Sequence, residues 1–103
     1  MIFKKIYKIV KLIPKGKVLT YKEVASKVGI KDYRIIGFAL HQNKDPKKVP
    51  CHRVVKSDGS IASGYAFGGD IEQIKLLLKE KVSFSTKEKV DLKKSLWIIE
   101  RKL

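Results

Sequence analysis

Acidic residues and cysteine are what this chain has least of. It sets 10 aspartates and glutamates against 24 lysines and arginines, a formal charge of +14 over 103 residues. Its one cysteine, Cys51, cannot close an internal disulfide. That excludes the small disulfide-stapled scaffolds and fits a reducing, cytoplasmic setting, nucleoid-associated if the cell is prokaryotic. No apolar run approaches the ~20 residues needed to cross a bilayer. Residues 1–17 alternate apolar side chains with lysines and offer neither an apolar core nor a small-residue cleavage site, so no secretory signal is read there. Length alone predicts one domain, without repeats. A 44% hydrophobic and 9% aromatic composition suffices for a small core and argues against disorder. The excess of base attracts polyanions, nucleic acid first. A lysine-rich surface of the kind seen in heat-adapted proteins also explains the lysines, though not the shortage of acid beside them, and both readings stand.

Periodicity predicts a mostly helical chain. Ile2, Ile6, Ile9, Val10 and Ile13 fall on one face of a helix over 2–13, which Pro14 and Gly16 end. Thr20 and Glu23 form a capping-box pattern at the start of a second helix that closes at Gly29. Asp32 caps a third, from Tyr33 to about Gln42, with Ile35, Ile36, Ala39 and Leu40 inward. Two short helices joined by a tight turn read as a helix-turn-helix, although a plain three-helix core fits the same pattern. Residues 43–50 form a loop. Val54-Val55, the turn 57–60 and Ile61 predict a small hairpin. A glycine-rich loop, Ser63–Gly69, precedes a helix capped by Asp70, with Ile71, Ile74, Leu77 and Leu78 inward. The period over 82–103 is ambiguous. The expected fold is mainly α with a small β-hairpin, a winged helix-turn-helix DNA-binding domain on a three-helix-bundle-like core. It covers 1–82, and 83–103 is a C-terminal extension on the same domain.

The segment VPCHRVV, residues 49–55, carries the chemistry. A cysteine attacks as its thiolate and needs a base, itself oriented by a third group. Cys51 and His52 are sequence neighbours, and in an extended chain neighbouring side chains point apart. Contact between them therefore needs a turn or a bridging water. Pro50 restrains that turn, and Arg53 would add positive potential favouring the thiolate. The competing reading has Cys51 as a small buried hydrophobe and His52 as a satisfied core histidine. A metal site is not expected: the two histidines would need a carboxylate to join them.

The wider constellation resembles the O6-alkylguanine-DNA alkyltransferases, the methylated-DNA–protein-cysteine methyltransferases. The similarity rests on Pro50-Cys51-His52-Arg53-Val54, on the run Pro14 to Ala25, on Arg34, Gly37, Ala39 and Asn43, on the glycine-rich loop and on the helix end at Lys75–Glu80. It covers residue 2 to about 82. The resemblance implies direct, single-turnover transfer of an alkyl group from guanine O6 in double-stranded DNA to Cys51, with no cofactor, no metal and a monomeric protein. It implies that His52 takes the thiol proton through water, Glu80 orients His52, Asn43 braces the cysteine turn and Tyr21 protonates the leaving guanine. It further implies that the nucleotide is rotated out of the stack, and that Arg34 fills its place from a helix laid in the minor groove. Tyr33, Gly37, Ala39 and Arg53 would also meet DNA. Val49, Pro50 and the loop residues Tyr65, Ala66, Phe67 and Gly68 would wall the base pocket.

The sequence departs from that pattern in three places. It carries no counterpart of the extra N-terminal domain of two-domain members. Phe38 stands where many members have a small residue. The GYAFGG loop is one residue longer than usual, and Lys81 replaces a glycine after Glu80. Alkyltransferase-like proteins, which bind the lesion without transfer, are the main alternative reading. They typically replace the cysteine by tryptophan, whereas Cys51 is present here. A basic winged-helix protein that coats DNA or regulates transcription has no need of Cys51-His52 or Tyr21.

Overall fold

The computed structural model describes residues 2–45, 47–61 and 69–98. Its first three helices make the predicted helical core. Helix α1, Ile2–Lys11, buries Ile6 and Val10, and Ile13 just beyond it is also buried. Helix α2, Tyr21–Val28, is capped as its sequence dictates. Thr20 Oγ1 accepts from the Glu23 amide at 3.1 Å, and Gly29 takes the left-handed conformation, φ 90°, that closes it. Helix α3, Arg34–His41, follows a short turn in which Asp32 Oδ1 accepts from the Arg34 amide. α1 packs on both α2 and α3, completing a helix-turn-helix over a common core.

The strands differ from expectation in their pairing. Val54–Val55 (β2) does not fold back on Ile61. It lies parallel to Leu19–Thr20 (β1), with Leu19 opposite Val54 and Thr20 opposite Val55. The turn over Lys56–Ser60 is nonetheless closed, by the Lys56 amide donating to the Ser60 carbonyl. The antiparallel hairpin falls in the segment whose period was ambiguous: Phe84–Thr86 (β3) pairs with Lys89–Val90 (β4). Side chains alternate across β1 and β2. Leu19 and Val54 join the core under α1–α3, whereas Val18 and Val55 join a second core with Ile61, Leu77, Val82 and Val90.

Helix α4, Gly69–Lys79, turns part of the predicted face inward: Leu77 is buried and Ile74 packs on the second core, but Ile71 and Leu78 are exposed, and Gln73 is buried in their stead. The chain after it forms β3, β4 and the short helix α5, Leu92–Ser95. This segment closes back on the strand leading into β1. The Val18 amide donates to the Ser95 carbonyl at 2.9 Å and the Trp97 amide to the Val18 carbonyl at 2.8 Å.

Candidate active site around Cys51

Pro50 shapes the turn that presents the sulfur. With φ −76° and ψ 70°, and the Cys51 amide donating to the Val49 carbonyl at 2.8 Å, it forms an inverse γ-turn. Proline's fixed φ and missing N–H suit that place. The chain then enters one 3₁₀ turn, Cys51–Arg53, before β2. This short turn departs from the extended geometry in which adjacent side chains point apart. Asn43 holds it from behind. Its buried Nδ2 donates to the Val49 carbonyl at 2.9 Å and lies 3.5 Å from Cys51 Sγ, while its Oδ1 accepts from the Asp45 amide. Tyr21, the first residue of α2, lies near enough for the Cys51 sulfur to act on its phenol.

Behind the turn lies a three-residue charge network. His52 Nε2 stands 3.1 Å from Glu80 Oε2, but off the line of a good hydrogen bond, and neither ring nitrogen has an aligned partner among the described residues. Glu80 is held by Arg53, whose Nε donates to Oε1 at 2.9 Å and whose Nη2 donates to Oε2. Arg53 Nη1 donates to the Ile13 carbonyl at 2.7 Å. These contacts correct two expectations for Arg53. Its side chain is 11% exposed, its donors point inward and Glu80 neutralises its charge, so it neither faces DNA nor favours a thiolate.

The protonation states follow from these surroundings. Burial raises the Cys51 thiol above its ordinary value, only partly offset by the Asn43 contact. The group is therefore a protonated thiol at rest. Burial lowers the His52 imidazole, against the pull of Glu80, so the ring is neutral and able to accept a proton. Burial of Glu80 works upward, but the hydrogen bonds from Arg53 and the close approach of His52 bring its net value below the ordinary one. Burial and the neighbouring sulfur push the Tyr21 phenol up to about 12, which keeps its proton in place as a donor.

The remaining site residues divide. Tyr21, Tyr33, Arg34 and Gly37 line a groove of about 460 Å³ at the N-terminal half of α3. Arg34 is exposed there, with its guanidinium tied to Asp32. A Cβ at Gly37 would meet Tyr21 Cε1 at 3.9 Å, an ordinary contact, so packing does not impose the glycine. Ala39 is corrected. It is fully buried in the core and its carbonyl accepts from Tyr7, so it cannot face DNA. Phe38 points out of α3, 62% exposed, against Phe3. Val49 and Pro50 are buried beside Cys51. Tyr65, Ala66, Phe67 and Gly68 lie outside the described residues.

One residue of the site was missed. Gln73, 1% exposed, donates from Nε2 to the carbonyls of His52 at 3.0 Å and Val54 at 3.2 Å, and so ties α4 to the cysteine turn. The available signal was a polar side chain one helical turn before Leu77, on the face that α4 buries. Among the described residues no three His, Cys, Asp or Glu side chains stand close enough together to hold a metal. No described helix is long and apolar enough to cross a membrane.

Comparisons with known proteins converge on one group. The family described as 6-O-methylguanine DNA methyltransferase, DNA binding domain, matches residues 1–82. A methylated-DNA–protein-cysteine methyltransferase of Methanosarcina barkeri is 42% identical over 78 residues, 75% of this chain and 49% of that protein. The chain thus spans about half the length of that relative. Among solved structures, S. pombe Atl1 in complex with damaged DNA containing O6-carboxymethylguanine is similar with a TM-score of 0.84 and 33% identity, over 95% of both chains. Mycobacterium tuberculosis OGT in complex with DNA is similar with a TM-score of 0.72 and 32% identity, over 77% of this chain and 48% of that one.

Proposed function

The chain belongs to the family of the 6-O-methylguanine DNA methyltransferase DNA binding domain, and from that premise we propose that it repairs double-stranded DNA by moving the alkyl group of O6-alkylguanine onto Cys51. The carrying observation is the Cys51 turn itself: a thiol braced by Asn43, followed at once by a buried neutral imidazole set against an anionic carboxylate.

The reaction balances without a cofactor. His52 takes the thiol proton through a water, and the resulting imidazolium is stabilised by Glu80. The Cys51 sulfur attacks the alkyl carbon in line with its bond to O6. The S–C bond forms as the C–O6 bond breaks, and the electron pair leaves with the guanine. Tyr21 donates its phenolic hydrogen to that departing group, which lowers the barrier to expulsion. The thioether has no route back to a thiol, so each molecule acts once.

The lesion is reached by rotating the nucleotide out of the duplex. Arg34, exposed at the rim of the groove with its guanidinium tied to Asp32, supplies the side chain for the vacated place. Gly37 keeps the outer face of α3 low where it meets the sugar-phosphate rails. The test is a titration of an O6-methylguanine duplex. Repair should stop at about one lesion per protein molecule, the stoichiometry of a covalently consumed nucleophile. Cys51→Ala should repair nothing and still retain the lesion duplex in a binding assay. Continued turnover, or full repair by Cys51→Ala, contradicts the reading.

Recognition without transfer is the second reading. Its support is the likeness to the Atl1 complex over nearly the whole of both chains, together with the raised pKa of Cys51. Under it, the same titration leaves every lesion intact and tightly bound.

A further inference from the structure

A second basic groove lies away from the one at the start of α3. Its volume is about 500 Å³. Lys4, Lys8 and Lys11 supply one wall from α1, and Lys44 and Lys48 supply the other from the loop after α3. Asp45 is the one acid among them, and its Oδ1 faces the Lys48 amide. No ion pair among the described residues involves any of the five lysines. At about 100° per residue, Lys4, Lys8 and Lys11 form a single row on α1. That row lies on the side of the helix opposite Ile6, Val10 and Ile13, through which α1 joins the common core with α2 and α3. The two grooves share no residue.

We propose that the lysine groove of α1 binds the phosphate backbone of a second DNA duplex while α3 holds the first, so that one molecule bridges two DNA segments. The inference rests on the DNA-binding reading above. The row spans eight residues of helix from Lys4 to Lys11, seven steps or about 10 Å at 1.5 Å per residue. Phosphates of one strand rise about 3.4 Å along the duplex axis, so three ammonium groups can each meet a phosphate of the same strand. Unpaired lysines along a groove give such attraction with no base contact, hence without sequence preference. The groove opens past the C-terminal end of α3, where Asn43 and Val49 also line it, whereas the first lies at the N-terminal half of that helix; with no residue shared, a separate duplex is its occupant and not the flank of the one on α3.

The test mixes donor-labelled and acceptor-labelled duplexes, the first carrying O6-methylguanine and the second undamaged, with the intact protein at low salt. Energy transfer should appear, and native mass spectrometry should give one protein with two duplexes. Lys4→Gln, Lys8→Gln and Lys11→Gln together should abolish the transfer while leaving lesion-duplex binding within about 3-fold at that salt. The loss of three phosphate contacts should lower the salt slope of second-duplex binding by about 2.7. Arginine at the same three positions should keep the bridge, which controls for folding. A charge-matched control, Lys87→Gln, Lys93→Gln and Lys94→Gln, should also keep it. Bridging that survives the α1 glutamines, a complex of two proteins with two duplexes, or an acidic protein domain that binds the groove where DNA does not overturns the inference. So does binding of the lesion duplex alone, which leaves the proposed function standing. Failure to bind any duplex removes both.

Discussion

Cys51 and His52 rest as a thiol and a neutral imidazole, because burial disfavours both charged forms. Under the proposed transfer, activation then belongs to the moment the substrate arrives and not to a standing thiolate. The imidazole has a second consequence, for stability. Its folded pKa lies below the ordinary 6.5, so between 6.5 and the folded value the unfolded chain binds a proton that the folded chain refuses. Stability must therefore fall as pH falls through that window, by up to about 1.4 kcal/mol per pH unit. Glu80, lowered from 4.5, has its own loss at lower pH and leaves this window to His52. Urea melts between about pH 7 and pH 5 should show the slope for the native protein and lose it in His52→Gln; an unchanged slope in the variant would show that another group titrates. That a thiol and an imidazole stand side by side was legible in the sequence, because they are neighbours in it. The direction of Arg53 was not. A guanidinium beside a cysteine in the sequence tells nothing of the carboxylate, 27 positions away, that claims it.

At the scale of elements, α4 and its end carry what the sequence concealed. Gln73 was passed over because apolar periodicity has no means of marking a buried amide. Two backbone carbonyls of the cysteine turn, those of His52 and Val54, provide its reason. Gln73→Ala strands both acceptors and should cost about 1–3 kcal/mol. It should also slow alkyl uptake, since the turn then loses its tie to α4; stability and rate equal to the native protein's would discount the bond. Lys81 is the opposite case, legible as a departure but not as a consequence. It sits at φ 66°, the left-handed region, immediately after Glu80. A non-glycine residue there costs about 1–2 kcal/mol, and glycine gives back about 0.5–1 in chain entropy. Lys81→Gly should thus raise stability by about 0.5–1 kcal/mol in denaturant melts; a lower midpoint refutes the strain. Asp70, expected as a cap, lies inside the first turn of α4, whereas the cap and span of α2 read well because Thr20, Glu23 and Gly29 act locally. The parallel pairing of β1 with β2 did not, because it joins residues 35 apart by backbone alone.

For the whole molecule, two small cores meet across β1 and β2, and the chain after residue 82 completes the second. Removing residues 83–103 exposes the contacts of Val90 and leaves the amide and carbonyl of Val18 unpaired. One buried valine contributes about 1.5–3 kcal/mol and each backbone bond about 0.5–1.5. A total of roughly 3 kcal/mol or more should lower the melting temperature by about 15 °C; a truncated chain that melts with the native one would show the segment to be dispensable. The same assembly sets the chemistry. Ile13 at the end of α1, the cysteine turn and Glu80 after α4 converge on one Arg53 side chain, so the base network forms only in the folded molecule. What that network is for is read most directly from the mass of the intact protein after incubation with a duplex containing one O6-methylguanine. Transfer predicts a gain of one methyl group in place of one hydrogen, located to the peptide holding Cys51, with guanine restored in the DNA. An unchanged protein mass beside an intact, bound lesion would contradict it.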